Sequence, residues 1–147
     1  MRLVPEETLS DGRYRLERVL GTGGMGSVWL AHDARLGRPV AVKVISDALA
    51  VDRQWLRRFE REARAAASVS HPHIVQVFDY SVEEERPYLV MEYVRGGSLA
   101  DRLTASRPHD QGLDVEALAR GLLDALAHIH DAGIVHRDVK PGNILLG

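Results

Sequence analysis

Short β-branched or alternating apolar runs separated by turns dominate the first 94 residues apart from one helical stretch, and apolar residues recur at every third or fourth position beyond Gly96-Gly97. A strand turns successive side chains to opposite faces, whereas a helix returns to the same face after 3–4 residues. Such a change of period dictates an α+β chain, with a β-rich region first and a helical region second. In the first region Tyr14–Leu20, Ser27–Ala31, Val40–Ile45, Ile74–Tyr80 and Pro87–Val94 read as strands with short connections, an antiparallel meander of five. One helix interrupts them over 53–69, where Trp55, Leu56, Phe59, Ala63, Ala66 and Ala67 recur at helical spacing before His71-Pro72.

After the glycine pair, Ser98 and Asp101 are placed as the N-cap and third residue of a short helix. Asp114 caps a longer one whose Val115, Leu118, Leu122, Leu126 and Ile129 share an apolar face, with Gly133 as its left-handed end. The organisation expected is a lead-in over 1–13, a β-rich lobe with its hinge over 14–94, and the beginning of a helical lobe over 95–147.

Composition narrows the function classes. A net charge of −2 offers no basic field for nucleic acid, and the absence of cysteine removes disulfides, thiolate metal sites and cysteine nucleophiles. No run approaches the roughly 18 apolar residues of a membrane span, and Met1–Glu7 lacks the apolar core of a signal peptide. The chain is expected to be soluble and cytoplasmic, with a membrane anchor in a longer parent left open. His128 and His130 are two apart on a helix, and His71 and His73 flank a proline, so a metal site finds little support. The arginines at 53, 57, 58, 61 and 64 read as a solvated helix face rather than a docking site.

Three elements carry chemistry. Gly21-Thr22-Gly23-Gly24-Met25-Gly26-Ser27-Val28 lies between two strands; it is either a glycine-rich hairpin turn or a backbone cradle for phosphate oxygens. A dinucleotide fingerprint would need a helix after the third glycine, and Ser27–Leu30 reads as strand. Lys43 sits in the otherwise apolar Val40–Ile45, either snorkelling from an edge strand or holding its ammonium at a nucleotide. Glu62 is placed on the helix face of Trp55, Phe59 and Ala66, with Arg58 or Lys43 as partner. The most specific element is Ile134–Leu145, in which His136-Arg137-Asp138 is followed by Asn143 at the spacing H-R-D-x-x-x-x-N. There a carboxylate could accept a hydroxyl proton and an amide oxygen could hold a divalent cation.

From about Tyr14 to Leu146 this set, in this order, resembles the eukaryotic-type serine/threonine protein kinases in their bacterial style. The resemblance implies ATP and Mg2+ as cofactors and protein serine and threonine hydroxyls as acceptors. It implies that Gly21, Thr22, Gly23, Gly24, Met25, Gly26 and Ser27 cover the phosphates, with Leu20 and Val28 above the adenine and Ala41 lining its pocket. It further implies that Lys43 meets the α/β-phosphates and pairs with Glu62. Met91 would be the gatekeeper, Glu92 and Val94 the hinge contacts, Ser98 a neighbour of the ribose, and Leu145 the floor of the adenine pocket. Asp138 would be the base, Lys140 the contact to the transferred phosphate and Asn143 the magnesium ligand. Contacts with other kinases are a further expectation.

The sequence stops at Gly147, before the family's D-F-G and A-P-E segments. On that ground the isolated chain is expected to be inactive and its 115–131 helix partly bare. A fragment that only binds nucleotide weakly, or binds protein, is the alternative to an enzyme.

Overall fold

The computed structural model describes residues 3–98, 114–131 and 145. The chain divides into two compact units, one of Met1–Ser68 with Gln76–Tyr93, the other of Val69–Val75 with Val94–Gly147. The first holds strands β1 (Thr8–Leu9), β2 (Tyr14–Gly23), β3 (Gly26–Asp33), β4 (Arg38–Ile45), β5 (Val77–Glu83) and β6 (Arg86–Glu92), with helices α1 (Asp47–Ala50) and α2 (Arg53–Ala67). The second contains α3 (Val115–Asp131).

The strands form one antiparallel sheet in the order β1-β2-β3-β4-β6-β5, so the expected five-stranded meander gains a sixth, two-residue strand from the lead-in. The sheet curls until its two ends meet. The Ser10 N–H donates to Glu83 Oε2 at 2.6 Å, and Arg86 on β6 stands 3.8 Å from Glu7 beside β1. Inside the curl lie Leu9, Tyr14, Leu16, Trp29, Ala31, Val40, Val42, Val44, Tyr88 and Val90, all buried. Each large apolar side chain removed from water there contributes roughly 1.5–3 kcal/mol. Tyr14 meets Tyr88 edge to face at 6.5 Å, and burial pushes its phenol up to about 12.

Asp33, at the end of β3, ties the curl together. Its carboxylate accepts from Arg13 Nε at 3.1 Å and Nη2 at 3.0 Å, and from the backbone N–H groups of Arg35 and Leu36 that turn the chain into β4. The Arg13 hydrogen bond holds this carboxyl below its ordinary value of 3.8, with the two backbone donors adding to it and burial opposing. A depressed carboxyl contributes stability that is full above its unfolded value and is lost as pH falls through the folded one. Asp33→Asn is therefore expected to cost ~2–3 kcal/mol at neutral pH. The gap between variant and parent should close as urea melts are repeated below about pH 4; a gap constant from pH 7 to pH 2 would show that the charge contributes nothing.

The β5–β6 hairpin turns through Glu84 and Glu85, with φ of 50° and 63°. Both lie in the left-handed region that a two-residue hairpin turn demands and that side chains other than glycine or asparagine enter at a cost. Arg86 offsets part of the local repulsion through its 3.7 Å approach to Glu84.

Helix α2 starts at Asp52, whose side chain accepts from the Trp55 N–H at 3.0 Å, and it packs against β5 with Phe59 5.9 Å from Tyr80. The arc turned inward comprises Trp55, Leu56, Phe59, Ala63 and Ala66, while Glu62 is exposed. This corrects the placement of Glu62 on the packing face. Around a helix Glu62 lies about 20° from Trp55 but about 100° from Ala63, so a buried arc centred near Phe59 and Ala63 leaves it just outside. Glu60, on the other edge of the arc, pairs with Arg64 at 2.7 Å at the surface; burial, and secondarily the Glu60 charge, raises the Tyr80 phenol. Arg58 forms no ion pair with Glu62 among those of the described residues.

In α3 the Asp114 side chain caps the Ala117 N–H at 3.0 Å. Gly121 and Ala125 are buried, Leu118, Leu122, Leu126 and Ile129 half-buried, and Val115 exposed. A methyl group on Gly121 would crowd the His73 ring at 3.1 Å, and His71 stacks obliquely on His128 at 5.1 Å. Asp101, Gly133 and the surrounding short helix lie outside the described residues.

Candidate nucleotide-binding site

Strand register sorts β3, β4 and β6 into two faces. Val28, Lys43 and Leu89 are aligned in one row, and Leu30, Ala41 and Met91 in a parallel row two residues on. Side chains two apart share a face, so these six residues lie together, on the side opposite Trp29, Val42, Val44 and Val90. The opposite side is the buried interior of the curl, whereas Val28, Leu30, Lys43, Leu89 and Met91 are half-buried and Ala41 is buried. One face of the small unit is therefore an apolar surface, not fully covered, with a lysine set into it.

Along one border of that face runs the glycine-rich hairpin. Gly23 pairs with Gly26 across the two-residue turn Gly24-Met25, and residues 20–25 are exposed. The glycines differ in what surrounds them. A Cβ on Gly21, Gly23 or Gly24 would meet no atom of the chain within 4 Å, so packing within the chain does not require glycine there. Gly26 has φ of 141°, and a Cβ on it would collide with the backbone carbonyl of Val44. The Ser46 N–H donates to the Met25 carbonyl at 2.8 Å, tying the turn to the end of β4. The β2 strand shifts register twice on its way into the hairpin, between Leu16 and Arg18 and between Val19 and Gly21, which bends it over the sheet.

Glu92 closes β6, and its N–H donates to the Gln76 carbonyl at 2.8 Å. Val94 is half-buried and, like Leu145, belongs to the second unit. Leu145 forms an isolated bridge with buried Ser98. Asp138, Lys140 and Asn143 lie outside the described residues. Lys43 and Glu62 both belong to the first unit; Lys43 is half-buried and Glu62 is exposed. Sequence reasoning missed Leu30 and Leu89. Both follow from strand alternation, Leu30 lying two residues from Val28, and Leu89 two from Met91 and opposite Lys43.

A glycine hairpin with open space over it, bordering an apolar face that carries an ammonium, could take a planar ring against aliphatic side chains and phosphates against backbone N–H groups and the lysine. Among the described residues no group of three His, Asp or Glu side chains is arranged to hold a metal ion.

The model of the protein kinase domain matches residues 14–147. The chain is 44% identical over 137 residues to the serine/threonine-protein kinase PrkC of Bacillus subtilis, covering 92% of this chain and 21% of PrkC. It is 48% identical over 147 residues to the serine/threonine-protein kinase PknA of Mycobacterium tuberculosis, covering 95% and 33% of the two. Among solved structures, the PknI kinase domain of M. tuberculosis superposes with a TM-score of 0.82 at 32% identity, over 98% of this chain and 57% of that one. The chain thus spans about a fifth to a third of the curated relatives it matches.

Proposed function

Because this chain belongs to the protein kinase domain family, we propose that it supplies the nucleotide face and the catalytic loop of an enzyme that phosphorylates serine and threonine hydroxyls of proteins with ATP. The observation that carries the reading is the row Val28–Lys43–Leu89 beside Leu30–Ala41–Met91, at the border of a hairpin whose first three glycines open onto empty space. Adenine lies against the aliphatic side chains, with the Glu92 carbonyl and the Val94 backbone as its polar contacts. The hairpin covers the phosphates and Lys43 holds the α/β-phosphates.

In the transfer itself the acceptor oxygen attacks the γ-phosphorus, the bond to the β-phosphate oxygen breaks, and the acceptor proton passes to Asp138. Lys140 steadies the transferred group. Magnesium, when bound, neutralises phosphate charge, with the Asn143 amide oxygen among its ligands. Pairing of Lys43 with Glu62 belongs to this proposal as well. A cytoplasmic location belongs to the same proposal; no helix of the described residues is long and apolar enough to cross a membrane.

Phosphoamino-acid analysis of products made by the whole protein tests the reading. Phosphoserine and phosphothreonine are expected, falling by a factor of about 10²–10⁴ in Asp138→Asn as the general base is lost. Mainly phosphotyrosine, or an Asp138→Asn variant as active as the parent, would overturn it.

A further inference from the structure

We infer that the Glu92 side chain is a positioning group that sets nucleotide choice. By taking the Gln76 N–H onto its own carboxylate, it keeps the Glu92 carbonyl out of the sheet ladder and available to a base amino group. The inference rests on the proposed nucleotide pose, in which that carbonyl meets adenine.

In an antiparallel pair that exchanges hydrogen bonds, each residue gives its N–H to the carbonyl of the other. Gln76 and Glu92 keep half of this exchange, the Glu92 N–H donating to the Gln76 carbonyl at 2.8 Å. The other half is replaced. The Gln76 N–H donates to Glu92 Oε2 at 3.2 Å, and among the hydrogen bonds of the described residues none joins it to the Glu92 carbonyl. The ladder gives way at the same place. Gln76 directly precedes β5, Glu92 is the last residue of β6, and Phe78 is left over between the pairs Val77–Met91 and Asp79–Val90. An extra residue of this kind bends its strand and re-aims its neighbours.

Gln76 is held in place while its N–H is redirected. Its side-chain Nε2 donates to the Val77 carbonyl at 3.1 Å and, at 3.4 Å, to the carbonyl of Ala67, the last residue of α2. Gln76 is half-buried and Glu92 exposed, and both belong to the first unit. A half-buried N–H fixed in this way needs an acceptor, and leaving it unmet costs free energy. Once the carboxylate is removed, the acceptor in register is the Glu92 carbonyl, which completes the ordinary exchange. A carbonyl drawn into the ladder is turned toward β5 and is a poorer acceptor for the 6-amino group of adenine.

Purine riboside triphosphate differs from ATP only in lacking that amino group, so the ratio of kcat/KM for the two reads the bond to the carbonyl. The whole protein is expected to favour ATP about three- to tenfold, the worth of one hydrogen bond. In Glu92→Ala the preference should disappear, with the loss falling on ATP. Glu92→Gln, whose amide oxygen still accepts from the Gln76 N–H, should restore it. Glu92 is exposed, so neither change opens a cavity. Three results would overturn the positioning role and leave the nucleotide pose standing: a preference for ATP that survives Glu92→Ala, an equal fall for both nucleotides, or no restoration by Glu92→Gln. A parent protein that uses the two nucleotides equally well would remove the amino group from the Glu92 carbonyl, and the pose itself would fall.

Discussion

Lys43→Met in the whole protein is expected to slow phosphoryl transfer by a factor of roughly 10²–10³ while the sheet stays folded. The side chain sits in the second half of β4, aligned with Val28 on one side and Leu89 on the other. Methionine has a similar length and suits aliphatic neighbours, so the substitution removes a charge without opening a cavity. What is lost is a fixed positive charge facing the phosphates, whose stabilisation grows as charge shifts in the transition state. Parallel measurement of kcat, KM for ATP and thermal unfolding separates the two effects. A variant that melts like the parent and turns over at a near-normal rate would remove Lys43 from the mechanism.

The strands were legible because their alternation is a property of neighbours in sequence, and the pairing of Val42 with both Trp29 and Val90 follows once alternation fixes the faces. Strand β1 was not legible. Two residues carry no period, and Thr8–Leu9 is a strand only because Arg15 and Tyr14 pair with it. Ile74-Val75 reads as the start of β5 from its β-branched side chains, yet the strand begins at Val77. The Ile74 N–H donates instead to the His71 carbonyl in a turn, so local hydrogen bonding overrides propensity.

The phase of α2 shows another limit. Spacing identifies the amphipathic helix but not which edge of its apolar arc meets the sheet. That choice is made by the Phe59–Tyr80 contact and the seating of Ala63, and it leaves Glu62 exposed. Of the candidate site, the glycine hairpin, Ala41, Lys43 and Met91 were readable because motif and alternation coincide on them.

Four glycines that look alike in sequence should separate sharply on substitution. Gly26→Ala is expected to destabilise the small unit by about 3 kcal/mol or more, combining strain of 1–3 kcal/mol at a positive φ with displacement of a neighbouring backbone. The collision is with the carbonyl of Val44 rather than with the end of a mobile side chain, so it is relieved only by parting β3 from β4. The Met25–Ser46 hydrogen bond that docks the turn would be lost in the same movement. Gly21→Ala, Gly23→Ala and Gly24→Ala meet open space and none has a positive φ in the left-handed range, so their melting should match the parent within about 0.5 kcal/mol. Their effect should fall on KM for ATP, because a methyl group there stands where the phosphates must approach the backbone. Urea melts and ATP titrations on the four variants draw the distinction. If Gly26→Ala melts with the other three, the packing of the hairpin against β4 is wrong. If Gly21→Ala, Gly23→Ala and Gly24→Ala leave KM for ATP unchanged, the hairpin does not cover the phosphates.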